Sequence, residues 1–151
     1  MIWSRISYDG VGPLVFVEGS IDGAAYIEIL KDHVYDHCLD HMGADGSLHT
    51  FMDDGASCHN SNAVIDFCAS KGIQRINWPP NSPDLNPIEH VLGWMKMNLT
   101  RLKVKPRNIT ELKAILLDIW AGINEEYCQE LIGSMPKRLV ELGQANGHYV
   151  K

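Results

Sequence analysis

The chain has 151 residues, 45% of them hydrophobic, with 13 Lys and Arg against 19 Asp and Glu and a formal net charge of −6. That length suits one domain with a real core, and no apolar run reaches the ~18 residues a membrane-spanning helix needs. The opening residues MIWSRISYDG lack a basic segment followed by an apolar one, so the reading expects no secretory leader and an intracellular protein.

In chain order, Ile2 to Tyr8 alternates apolar and polar residues and predicts a strand. Asp9 to Gly12 turns the chain, and Pro13 to Glu18 predicts the second strand of a hairpin. From Ala24 to about Asp40 the pattern is helical, with Ile27, Leu30, Val34 and Cys38 on one stripe. His33, His37 and His41 recur every four residues on that helix. Two such histidines can bind zinc, but no suitably spaced fourth ligand accompanies them, so they are expected at the surface. Ser47 to Met52 predicts a strand that ends in Asp53 and Asp54. In open α/β sheets that end of a strand is where ligands bind.

A short helix follows over Asn62 to Ser70, with Val64, Ile65, Phe67 and Cys68 as its apolar side, and Gly72 ends it. Ile73 to Trp78 predicts another strand. Pro79, Pro80, Pro83 and Pro87 make the next loop stiff, because proline fixes φ and removes a donor. Asn86 then caps a helix that has Pro87 at its first position. Its core stripe is Val91, Leu92, Met95 and Leu99. A third helix starts at Asn108, with Glu111 three residues on and Leu112, Ile115, Leu116, Ile119 and Ile123 inward, Trp120 packing with them. Asn124 opens a further helix through Leu131. A last one follows Ser134, with Leu139 and Leu142 buried, and Gly143 to Lys151 is a polar tail.

Two acidic positions carry the candidate chemistry. Asp54 and Glu89 are separated by 34 residues, on elements that only a fold can bring together. A divalent cation such as Mg²⁺ takes oxygen ligands and commonly one or two protein carboxylates. Each position also has a purely structural reading. Asp53-Asp54 can be a solvated turn, and Glu89 stands where a capping box would place it, reaching back to the N–H of Asn86. Cys58 and His59 are adjacent, but neighbours in an extended segment point apart, which argues against a nucleophile pair. The cysteines Cys38, Cys58, Cys68 and Cys128 form no CxxC pair and are expected as free thiols. Charge is uneven. Residues 1–90 hold 4 Lys and Arg against 13 Asp and Glu, whereas residues 91–151 hold 9 against 6. The basic run Lys96, Arg101, Lys103, Lys105 and Arg107 is either a solvated helix face or a surface for phosphates, which dominate nucleic-acid affinity.

The string WPPNSPDLNPIEH resembles the WPPxSPDLNPIE signature of mariner-type DNA transposases, and FMDDGASCH resembles that family's FxQDNAPCH block. The 34-residue gap equals the family's spacing between its second and third catalytic acids. SYDGVGPLVFVEGSIDGAAYIEIL and YCQELIGSMPKRL resemble flanking segments, so the resemblance covers essentially the whole chain. It departs at Gly55, Ser57 and Leu92, where the family has Asn, Pro and commonly Trp.

The resemblance implies an α/β, RNase H-like mixed sheet flanked by helices and lacking its first strand, since the element order matches that fold with this strand removed. It places the partial catalytic domain at 1–143 and a loose tail at 144–151. It implies a DDE transposase domain that cuts and joins DNA with Mg²⁺ or Mn²⁺. Asp54 and Glu89 would be the second and third metal-binding catalytic acids, and Asp53 an outer carboxylate. The family's first acid would lie upstream of the segment near Trp3. The resemblance further implies transposon-end and target DNA as partners, a homodimer, a nuclear location, and no membrane or small-molecule substrate. The alternatives at this point are a catalytically inactive transposon-derived remnant that binds nucleic acid or a partner, and an unrelated RNase H-like nuclease that recruits Asp9.

Overall fold

A computed structural model describes residues 1–40, 50–79 and 82–145. The chain divides into two compact units, one formed by Met1–Phe16 with Ser82–Lys151 and the other by Val17–Asn81.

The first unit opens with the predicted hairpin, broken into two ladders. Strand β1 (Ile2–Trp3) pairs antiparallel with β4 (Val15–Phe16), and β2 (Ile6–Ser7) with β3 (Gly10–Val11). The register slips by one residue between the ladders: Trp3 faces Val15, but Ile6 faces Val11. Three residues, Gly12 to Leu14, therefore oppose two, Ser4 and Arg5. This is a β-bulge, and Pro13 sits in it with no N–H to give a ladder. The backbone N–H of Gly12 donates to the Arg5 carbonyl (2.8 Å) across it.

Against the hairpin lie helices α4 (Pro87–Arg101), α5 (Ile109–Ala121) and α6 (Glu125–Gly133). Leu14, Val91, Met95, Trp120, Ile123, Cys128 and Leu131 form one buried cluster, joined by Ile2, Ile6, Val11 and Phe16 from the hairpin. Trp120 is 5% exposed, and its indole N–H donates to the Gly12 carbonyl at the bulge (2.8 Å). A buried indole needs such a partner. The helix starts follow the predicted caps: the side chains of Asn108 and Asn124 accept from the N–H groups of Glu111 and Tyr127. The last helix, α7 (Met135–Gln144), departs from expectation. Leu139 and Val140 are exposed, and Leu142 is only half-buried. Of the expected tail, residues 146–151 lie outside the described residues, and Gly143 and Gln144 belong to α7.

The second unit contains α1 (Gly23–Leu30), a π-helical turn over Lys31–Tyr35, α2 (Asp36–Asp40) and α3 (Asn62–Ser70). Tyr26, Leu30, Val34 and Cys38 are all buried at four-residue spacing. In a regular helix each such step drifts by about 40° around the axis. The wider π turn absorbs part of that drift and keeps the four on one face. Helix α3 ends in a Schellman motif at Gly72 (φ 68°): the N–H of Ile73 donates to Cys68 (2.9 Å) and that of Gly72 to Ala69 (3.2 Å). Val64 and Cys68 are buried as predicted, whereas Ile65 is 47% exposed. The chain then passes beside Phe51 in a single parallel bridge, Phe51 with Arg75, held by Phe51 N–H to Gln74 (2.7 Å) and Ile76 N–H to Phe51 (2.9 Å). The predicted strands 47–52 and 73–78 thus meet, with Ser47 to His49 outside the described residues. Another close approach joins the starts of α1 and α3, where a Cβ on Gly23 would collide with Ser61 Oγ.

Candidate metal-binding carboxylates

The Phe51–Arg75 bridge sets the site in the second unit. Asp53 and Asp54 come just after Phe51 and Met52, and their side chains have opposite fates, as alternation along an extended segment requires. Asp53 points inward and is 9% exposed. Arg75 Nη2 donates to both of its oxygens (2.6 and 2.8 Å), and the Tyr26 hydroxyl donates to Oδ2 (3.1 Å). Tyr26 is fully buried. Burial, then the charge and hydrogen bond of Asp53, push its phenol well above the usual range. Burial also pushes the nearby Cys68 thiol up. Burial works to lower the Arg75 pKa, but the hydrogen bond and charge of Asp53, joined by Cys68 and Tyr26, raise it on balance.

Asp54 points outward, with its side chain 60% exposed. Its Oδ1 accepts from the Ala56 N–H (3.0 Å) and lies 2.8 Å from His59 Nδ1, which is hydrogen-bonded with the Asp54 main-chain carbonyl (3.3 Å). The His59 ring stacks on Tyr26 with centroids 4.0 Å apart. Among the described residues nothing bonds Oδ2 of Asp54. A cleft of about 250 Å³ opens here, lined by Asp54, Gly55, Asn60, Arg75, Asn77 and Trp78, with Asp53 in its wall. Asp53 therefore serves as an inner structural carboxylate and Asp54 is the one presented to solvent. Cys58 does not engage His59, whose ring nitrogen is taken by Asp54.

Glu89 lies in the other unit, exposed in the first turn of α4. Helix α4 follows a 3₁₀ turn over Pro83–Leu85. The Asn86 side chain accepts from the Ile88 N–H (3.4 Å), and the Asn86 N–H donates to the Pro83 carbonyl (3.1 Å). The capping-box reading of Glu89 thus fails, because the donor it would reach is already used. At α5 Glu111 reaches one residue further back than a capping box requires: its Oε2 accepts from the Arg107 N–H (2.7 Å), while Asn108 Oδ1 accepts from the Glu111 N–H (2.8 Å). Next to Glu89, His90 Nε2 lies 2.6 Å from Arg138 Nη1, which also donates to the Asp84 carbonyl (3.0 Å). Burial and then Arg138 lower the His90 pKa, against Glu89. Arg138 thereby ties α7 to the turn that precedes Glu89.

All five basic positions, Lys96, Arg101, Lys103, Lys105 and Arg107, are exposed. Lys105 is partly committed, its ammonium donating to the last carbonyls of α4 at Thr100 (2.6 Å) and Leu99 (3.3 Å). Among the described residues no group of three or more His, Cys, Asp or Glu could hold a metal ion. Of the histidine row, His33 and His37 are half-buried rather than at the surface, and His41 lies outside the described residues.

Three residues of these sites escape the sequence reading: Tyr26, Arg75 and Arg138. Tyr26 has a signal, standing four residues before Leu30 on the buried stripe. Arg75 becomes the partner of Asp53 only through the parallel register, and Arg138 reaches Asp84 and His90 across about 50 residues.

The family described as DDE superfamily endonuclease matches residues 2–113. The transposable element Tcb1 transposase of Caenorhabditis briggsae is 29% identical over the whole of this chain and 54% of its own length. The transposable element Tc3 transposase of Caenorhabditis elegans is 28% identical over 98% of this chain and 44% of its own. The chain thus spans about half the length of the curated relatives it matches. Among solved structures, the Mos1 transposase catalytic domain with raltegravir and Mg superposes with a TM-score of 0.86 at 18% identity, covering 99% of this chain and 76% of that one. The Mos1 mariner paired end complex with Mn gives 0.83 at 19% identity, covering 98% and 44%. The fold is that α/β, RNase H-like architecture. With residues 2–113 matched, the chain belongs to the DDE superfamily endonucleases, and its fold is that of the Mos1 transposase catalytic domain.

Proposed function

We propose that this chain forms the DNA-cleaving and strand-transferring core of a mariner-type transposase, with Asp54 and Glu89 as its metal-binding acids. The observation that carries the reading is the pair of side chains left open. Asp54 has one oxygen held by the Ala56 N–H with His59 Nδ1 2.8 Å away, among the described residues nothing bonds the other, and Glu89 is spared from capping. Mg²⁺ and Mn²⁺ are hard cations that take carboxylate oxygens and complete their shell with water and substrate phosphates. The donors here fit such an ion. When bound, it supplies charge neutralisation at the phosphate and a more acidic bound water. Support comes also from the Mos1 catalytic domain having been solved with Mg and with Mn, and Mos1 with transposon ends.

In this reading the chain's own residues hold and orient. Asp54 binds through Oδ2, Glu89 offers its carboxylate from the first turn of α4, and neither takes a proton. Lys96, Arg101, Lys103 and Arg107 contact DNA phosphates, with Lys105 mainly closing α4. The protein acts on transposon ends and target DNA, as a homodimer and in the nucleus.

The test is nicking of supercoiled DNA with Mg²⁺ or Mn²⁺, by this chain and by a version extended upstream. The expected result is nicking that Asp54→Ala and Glu89→Gln each reduce by at least about 100-fold, on the order of 3 kcal/mol of transition-state stabilisation. Nicking that survives both substitutions would remove these carboxylates from the chemistry. Silence in both lengths would leave the non-catalytic, DNA-binding remnant instead.

A further inference from the structure

Four side chains around Asp54 are buried or stacked in a way that an ordinary solvated turn does not require. His59 is a half-buried imidazole whose Nδ1 is 2.8 Å from Asp54 Oδ1. Its ring lies on Tyr26, 4.0 Å between centroids and 28° between planes. The Tyr26 hydroxyl is bonded to Asp53, and Asp53 is gripped through both oxygens by Arg75. Each link fixes the next. Arg75 sets Asp53, Asp53 sets the rotation of the Tyr26 ring, the ring sets the plane of His59, and His59 sets one oxygen of Asp54. The array draws on α1, the Phe51–Arg75 bridge and the turn after Asp54, so three separate segments converge on one carboxylate.

We propose that His59 is the positioning residue of Asp54, and that Tyr26, Asp53 and Arg75 hold His59 in place. Its task is to saturate Oδ1 and leave only Oδ2 for a divalent cation, so that Asp54 binds through one oxygen in a fixed direction. The geometry assigns the proton: Nδ1 carries the hydrogen, since a carboxylate oxygen can only accept. Partners of this kind, one step removed from the metal, orient ligands, and their loss costs about 10–100-fold in metal affinity. This inference rests on the reading of Asp54 as a metal ligand.

Two substitutions separate orientation from bulk. In His59→Asn the amide nitrogen takes the place of Nδ1 and can still donate to Asp54. In His59→Gln the amide corresponds to Nε2 and leaves Oδ1 unheld. The measurement is Mn²⁺ binding to the 151-residue chain, followed by loss of the free-ion electron paramagnetic resonance signal. Asp54→Ala serves as the reference, and Tyr26→Phe keeps the stacked ring but removes its anchor. The expected result is binding within about 3-fold of wild type for His59→Asn and about 10-fold weaker for His59→Gln. Tyr26→Phe is expected between them. Equal affinity for the His59 variants and wild type, with binding lost in Asp54→Ala, overturns the positioning role and leaves Asp54 a ligand. Binding that is unchanged in Asp54→Ala overturns the ligand reading itself.

Discussion

Asp53 and Asp54 are chemically identical neighbours, and the structure separates them by 180° of strand alternation. Asp53 sits beside a guanidinium whose side chain is 17% exposed, in contact with a fully buried phenol. Removing one partner of a buried pair leaves a charge without compensation, a cost of about 3–5 kcal/mol. Tyr26 adds a pH dependence. Its folded pKa is raised above the ordinary 10.0, so the folded state keeps the phenolic proton after the unfolded chain has released it. The unfolded state then binds fewer protons, and stability falls as pH rises above about 10. Tyr26→Phe is expected to flatten that alkaline decline. Thermal melting of both proteins between pH 8 and pH 11 checks it, and parallel curves would mean that the phenol contributes no linkage. The buried thiols Cys68 and Cys128 add a similar decline from a lower pH, because burial raises both, and it persists in the variant.

The same local spelling, Asn followed three residues later by Glu, starts two helices and is used differently in each. At α5 Glu111 is used locally, its carboxylate accepting from the Arg107 N–H and its own N–H donating to Asn108. At α4 the preceding 3₁₀ turn brings the Pro83 carbonyl to the Asn86 N–H, and Glu89 is released. The consequence is measurable as stability. Asn108→Ala is expected to cost about 1 kcal/mol, whereas Glu89→Gln is expected to stay within about 0.5 kcal/mol of wild type, as an exposed substitution does. Urea denaturation of both variants compares them directly. A large loss for Glu89→Gln would mean that the carboxylate supports the helix after all. The helices and their caps were legible because each cap side chain lies within three residues of the N–H it serves. The hairpin's interruption was only half legible. Pro13 announces a break, but the one-residue slip appears only once Ile6 is seen opposite Val11.

At the scale of the whole molecule the charge is divided, and the basic residues between α4 and α5 belong to the unit that also carries Glu89. If Lys96, Arg101, Lys103 and Arg107 meet phosphates, each contact releases condensed counterions. The logarithm of duplex affinity then falls with the logarithm of salt by a slope of about 0.9 per contact. Replacing Arg101 and Lys103 by Gln is expected to reduce that slope by about 2 and to weaken binding equally on unrelated sequences. Filter binding from 50 to 200 mM salt, a range set by where such slopes are usually resolved, checks it. An unchanged slope would return these residues to an ordinary solvated face.

The sequence by itself determined the family, the helices, their caps and the identity of the two candidate acids, because those depend on spacing and on chemistry within a few residues. Tertiary structure decided which carboxylates are available. It turned Asp53 inward onto Arg75, left Oδ2 of Asp54 open among the described residues, gave the Asn86 N–H to Pro83 and so freed Glu89. It also exposed Leu139, which periodicity would bury. A hydrogen bond can be spent once, and which of several nearby partners receives it depends on segments far apart in the chain.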